Sequence, residues 1–136
     1  MMKRKLQFHT LLIVILLLLG MVNCAYAIID ANPVFSDGDA YLFSDLTAEV
    51  NASTKGPCEE IVVSSMYLQR VNSSGSTIYS STRISGPSEI FSDASNYWGA
   101  HDFSGYASTG NYYRIKVTFS AEGESITRYS NIVYYD

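Results

Sequence analysis

Positive charge is scarce in this chain. Nine Lys and Arg stand against thirteen Asp and Glu, for a net charge of −4. Three of the nine, Lys3, Arg4 and Lys5, fall at the very start, so residues 28–136 carry six basic and thirteen acidic side chains, a net charge of −7. The six are scattered singly at Lys55, Arg70, Arg83, Arg114, Lys116 and Arg128. Such a chain repels phosphate backbones, so nucleic acid is not an expected partner, and it has no polybasic patch for anionic lipid. Cysteine is equally sparse, with only Cys24 and Cys58. Long apolar runs are limited to one, residues 11–22, whose 12 residues fall short of the ~20 a membrane-spanning helix requires. No window after it shows an apolar stripe of period 3.6, which argues against a helical protein.

What is present at the start is an ordered series: a basic head, the apolar run, then the small residues of Ala25-Tyr26-Ala27. That is the layout of a secretory signal peptide. Residues 1–27 are therefore read as a helical leader, with a mature domain of residues 28–136 beginning at Ile28. Lipidation at Cys24 is the rival reading, but Met21-Val22-Asn23 lack the small side chains such sites have directly before the cysteine. Cleavage after Ala27 leaves Cys58 alone, so the domain is expected to be held by its core without a disulfide. No second apolar span or anchor follows. The expectation is an extracellular protein, secreted and free of the membrane after cleavage.

The mature region is rich in Ser, Thr, Val, Ile and Tyr, which favours strands. Tyr113, Ile115, Val117 and Phe119 alternate with Tyr112, Arg114, Lys116 and Thr118, the pattern of a half-buried strand. The short turn Ala121-Glu122-Gly123-Glu124 leads to a second strand over 126–135. Leu46, Ala48 and Val50 mark another strand, residues 60–71 a longer one, and Asn72-Ser73-Ser74-Gly75 a turn before a partner at 77–83. Edge strands are expected at 41–43 and 100–106, and a long surface loop at 85–96. About seven short strands in one domain predict a β-sandwich with hairpin and Greek-key connections, with a small barrel as the alternative.

The residues Gly110-Asn111-Tyr112-Tyr113-Arg114-Ile115-Lys116-Val117, with Gly123-Glu124-Ser125 and Ser130-Asn131, resemble the last two strands of a fibronectin type III-like module. Tyr113 stands where such modules place a corner tyrosine, whose hydroxyl ties the strand to the preceding connection. Gly38-Asp39-Ala40-Tyr41-Leu42, Cys58-Glu59-Glu60-Ile61 and Met66-Tyr67-Leu68-Gln69-Arg70, followed by the Gly-x-Tyr-Tyr-Arg motif, resemble a family of small secreted proteins of Gram-positive, clostridial-type bacteria. That family is uncharacterised, a domain of unknown function. The resemblance implies an exported all-β domain, a single immunoglobulin/fibronectin III-like β-sandwich, and contributes no catalytic residues. The 85–98 region is longer here than in the family.

Chemistry-bearing residues are few. His101, the single mature histidine, is followed by Asp102, but no G-x-S-x-G elbow is present, and neighbours on an extended strand point to opposite faces. Cys58 has no histidine near it in sequence to lower its pKa. One histidine and one cysteine cannot furnish a zinc site. Asp37-Gly38-Asp39, with Asp30, Asn32 and Asp45, offers oxygen ligands for calcium without the full loop spacing, and is also what a solvated turn looks like. No cofactor is expected. The sequons at Asn51 and Asn72 read as turns in a bacterial product. The aromatics are the most suggestive feature. Tyr97 and Trp98 read as a binding loop, with Trp98 as a plug over one open end of the sandwich the other reading. Tyr112 and Arg114 join them as a candidate binding surface. The expected function is a secreted, non-catalytic binding or interaction module for a protein or a cell-surface glycan. The alternative is a small extracellular hydrolase using the carboxylates of Glu89, Asp93 and Asp102.

Overall fold

The computed structural model describes residues 32–84 and 90–136, and within them the side chains of all but residues 90–93. The leader, Cys24 and Asp30 lie outside the described residues. In chain order the elements are β1 (Phe35–Leu42), β2 (Thr47–Val71), β3 (Ile78–Arg83), β4 (Ile90–Asp102), a 3-10 turn (Ser104–Tyr106), β5 (Asn111–Ala121), β6 (Glu124–Tyr129) and β7 (Val133–Tyr135).

The architecture hangs on β2, a strand of 25 residues where ~5–6 is usual. Its first part lies between β1 and β4, with Val50 opposite both Ala40 and Gly99. Its last part lies between β5 and β3, with Gln69 opposite both Arg114 and Ser81. Between the two parts the ladder to β4 steps from Ser53↔Asn96 to Cys58↔Ala94, so residues 54–57 of β2 face the single residue Ser95. The extra residues include Gly56-Pro57, and a proline that cannot donate to a ladder belongs at such a bulge. The Thr54 hydroxyl sits between the carbonyls of Gly56 (2.7 Å) and Ser95 (3.2 Å) and fills the gap. All seven strands thus form one antiparallel sheet, folded at this bulge into two layers, β1–β2–β4 and β3–β2–β5, with β6 and β7 on the far edge of β5.

The core lies between the layers. Ala48, Val50 and Ala52 of β2 face Ile115, Val117 and Phe119 of β5, all buried, because period-two alternation gives each strand one apolar side. The Tyr97 ring of β4 meets Phe119 of β5 across the layers, with centroids 5.7 Å apart at 61°. Side chains also tie β1 to the chain from β6 onward. Arg128 Nε donates to the Gly38 carbonyl (2.8 Å). The Asn131 amide both accepts from Leu42 N and donates to Leu42 O, each at 2.9 Å, in place of a backbone ladder.

Tyr113 makes the expected corner. Its hydroxyl accepts from the Ser108 amide (2.9 Å) and donates to the Ser108 carbonyl (3.1 Å), five residues upstream. Strand order, register and corner together define a fibronectin III-like all-β sandwich.

Several boundaries differ from the sequence reading. The strands expected at 46–50 and 60–71 are one strand. Leu46 stands outside it at φ 66°, fully buried. The loop expected at 85–96 becomes strand from Ile90 onward. The four-against-one bulge breaks the register between β2 and β4 within this segment, so no single alternation runs through it. Strand 100–106 ends at Asp102 and gives way to the 3-10 turn. Strand 126–135 divides at Ser130, whose hydroxyl accepts from Ile115 N (2.8 Å) where a strand carbonyl would. Asp37-Gly38-Asp39 is not a turn but the middle of β1, and Asn51 lies in β2 rather than in a turn.

Candidate binding surfaces

The outer faces of the two layers carry opposite chemistry. On β1–β2–β4, the residues that alternate with the core point outward. Asp39 lies opposite Asn51, and Asn51 opposite Trp98; Tyr41 lies opposite Glu49, and Asp37 opposite Ser53. All six of Asp37, Asp39, Tyr41, Glu49, Asn51 and Trp98 are exposed. Three are carboxylates, and Asp102 adds a fourth at the end of β4. The Asp102 carboxyl is held below its ordinary value because the Ser104 amide (2.9 Å), and then the Ser104 hydroxyl, hydrogen-bond its charged form.

The opposite face, on β3–β2–β5–β6, is cationic and aromatic. Its clearest row crosses four strands as Arg83, Tyr67, Lys116 and Tyr129. In the next row Arg114 donates from Nε to Gln69 Oε1 (2.9 Å) and lays its guanidinium 4.6 Å above the Tyr129 ring centroid. Gln69 is only 4% exposed, so its amide is a fixed post that aims Arg114 at Tyr129. In the third row Tyr112 stacks on Tyr134, with centroids 5.0 Å apart at 55°. Among the described residues, none of Arg83, Arg114 and Lys116 is ion-paired. With Arg114 held by Gln69 and Tyr129, the three form a patch of charge opposite to that of the whole chain.

The four residues read from sequence as one surface are therefore three separate things. Tyr97 is 1% exposed and belongs to the core, because it occupies the inward parity of β4. Trp98, its neighbour, is 58% exposed on the acidic face, so it plugs nothing, and it sits on a strand rather than a loop. Tyr112 and Arg114 lie on the other layer's outer face. Tyr112 pairs with Tyr134, as the β5–β7 register dictates. The sequence reading missed Tyr129, Tyr134 and Arg83. Tyr129 was within reach: Glu122 and Gly123 form a two-residue turn with φ of 49° and 80°, and that turn type fixes Lys116 opposite Tyr129.

The candidates for catalysis among the described residues do not come together. His101 lies at the inward parity of β4 with its ring 6.2 Å from Phe103, while Asp102 points outward to Ser104. Cys58 is a buried thiol whose sulfur lies 3.6 Å from the Gly56 carbonyl. Glu89 and the Asp93 side chain lie outside the described residues, which leaves Asp102 alone of the hydrolase trio. Asp37 and Asp39 each accept from the next residue's amide, at 2.7 and 2.8 Å. No group of three or more His, Cys, Asp or Glu side chains among the described residues is placed to hold a metal ion.

A solved structure described as a Fn3-like protein from Clostridium thermocellum is 21% identical to this chain, with a TM-score of 0.32 over 76% of this chain and 92% of that one. No protein-family model and no curated protein matches the chain. The fold assignment stands on the strand order and the corner, and takes nothing from this likeness.

Proposed function

We propose that this protein is a secreted, non-catalytic interaction module that binds an acidic partner, a protein surface or a glycan, through the tyrosine-rich cationic face of β3, β2, β5 and β6. The leader-like residues 1–27 support an extracellular site of action. One observation carries the binding reading: Arg114, fixed by Gln69 and stacked on Tyr129, beside Lys116 and Arg83, with no carboxylate neutralising them among the described residues. Tyrosine rings with an arginine among them supply contact area and charge at low entropic cost, the composition typical of binding hot spots.

The test is capture of partners from culture medium and from cell-wall preparations by the purified protein. Arg114→Glu with Lys116→Glu reduces capture by tenfold or more, the loss of about 1.4 kcal/mol. Capture that is unchanged by the double variant overturns this face as the binding site.

A further inference from the structure

The acidic face and the cationic face lie on the same molecule and turn away from one another, one on the outside of each layer. We infer that they are complementary, so that the acidic Trp98 face of one copy docks on the cationic tyrosine face of the next and the chain self-associates head to tail. The inference rests on the binding reading above and names its partner: a second copy of this chain.

Three features of the two faces support that occupant. Asp37 and Asp39 are two residues apart on β1, and Arg114 and Lys116 two apart on β5. Both spacings are about 6.8 Å in extended strands, so the carboxylates and the cations repeat at the same interval. Each face also carries an exposed aromatic anchor within its charges: Trp98, two strands from Asp39, and Tyr129, one strand from Lys116. Like faces do not serve as alternatives. Two acidic faces or two cationic faces repel, which disfavours the self-complementary arrangement of a two-fold dimer and leaves the heterologous contact, which does not stop at two copies.

The association is weak by construction. Each patch spans three or four strands and about three rows, less than the ~800 Å² per partner of a standard stable interface. Net repulsion between copies, whose residues 28–136 carry a charge of −7, opposes it further. It belongs to places where the protein is crowded.

Sedimentation velocity of the purified protein from about 10 µM to 1 mM tests this, the upper limit being chosen for an interface below standard size. The expected result is a weight-average sedimentation coefficient that rises throughout without a plateau at two copies. Trp98 emission shifts to the blue over the same range, since this tryptophan is the only one in the chain. Asp39→Lys and Lys116→Glu, both at solvent-facing positions, each abolish the rise while leaving the melting temperature in place, and an equimolar mixture of the two restores association. A wild-type protein that stays monomeric at 1 mM overturns the inference, as does a mass that saturates at a dimer or a mixture that fails to associate. A monomer that still captures partners in an Arg114- and Lys116-dependent way overturns the self-association alone and leaves the binding reading standing.

Discussion

At the scale of single residues, the fate of two adjacent tyrosines shows what alternation decides. Tyr113 is buried, and its hydroxyl satisfies both the amide and the carbonyl of Ser108. Tyr112 is 37% exposed and rests on Tyr134. Tyr113→Phe leaves the Ser108 amide without its partner, while the carbonyl keeps Asn111 Nδ2 at 3.1 Å; it costs about 1–3 kcal/mol in a urea titration, whereas Tyr112→Phe stays within ~0.5 kcal/mol. Equal losses at the two positions would contradict the corner. This pair was legible in the sequence because period two assigns the faces and the motif Gly110-Asn111-Tyr112-Tyr113 places the corner. Tyr97 and Trp98 were not legible. They alternate as strictly as the other pair, but which of them points inward is set by the register against β2, where Tyr97 lies opposite buried Ala52 and Trp98 opposite exposed Asn51, and no local feature of β4 encodes that register. Leu46 was misread for a related reason. Its apolar side chain fits the alternation of Ala48 and Val50, yet its backbone is left-handed. Complete burial, with its carbonyl accepting from Phe103 N (3.0 Å), outweighs the ~1–2 kcal/mol such a conformation costs a residue with a Cβ.

At the scale of elements, the contact between β1 and the strands after β5 sets how closely the two layers approach. Gly38 is buried in the middle of β1, and a Cβ placed there falls 2.5 Å from Ile126 Cδ1 and 3.6 Å from the Asn51 carbonyl. The glycine is therefore a spacer of zero width rather than a turn residue, which is why Asp37-Gly38-Asp39 reads as a turn in sequence and forms a strand in space. An alanine is accommodated by rotation of the Ile126 terminus. Gly38→Val brings two further carbons against a buried side chain and pushes β1 away from Arg128 and Asn131, so it destabilises the fold by about 1–3 kcal/mol, the usual consequence of overpacking. The matched measurement is the denaturant midpoint of Gly38→Ala against Gly38→Val. A valine variant as stable as the alanine one would show that β1 is loosely held. Most strands and the two hairpin pairings, β2 with β3 and β5 with β6, were legible, since local periodicity and turn residues encode them; the pairings of β2 with β1, β4 and β5 are between distant segments and left no local signal. The continuity of β2 and the break at Ser130 were not legible either, because each depends on which distant group supplies a hydrogen bond: the Thr54 hydroxyl across to Ser95 in one case, the Ser130 hydroxyl to Ile115 in the other.

At the scale of the whole molecule, charge and cysteine placement make one consistent demand. Neither outer face, acidic with Trp98 or cationic with its tyrosines, is a local sequence feature. Each is assembled from three or more strands, which is why the sequence showed an acidic chain with six scattered cations and the structure shows a chain with two unlike sides. The extracellular site of action proposed for this chain is one where a domain of this size commonly relies on disulfides. Here Cys58 is buried and free, so the folded domain depends on its core alone. Two measurements on the protein recovered from culture medium follow. Its intact mass corresponds to residues 28–136, because Ala25-Tyr26-Ala27 gives the peptidase its small side chains and Met21-Val22-Asn23 does not suit lipidation. Its melting temperature is the same with and without a thiol reductant, because cleavage there removes Cys24 and leaves Cys58 no partner within the chain. A lipid-bearing species that begins at Cys24 overturns the first and turns the protein into a membrane-anchored one. A melting temperature that falls on reduction overturns the second, since it requires a cross-link that a chain with one buried cysteine cannot form by itself. The two outcomes separate cleanly: lipidation consumes the Cys24 sulfur and leaves the melt indifferent to reductant, whereas retention of an unmodified Cys24 adds a thiol and shifts the mass without adding a lipid.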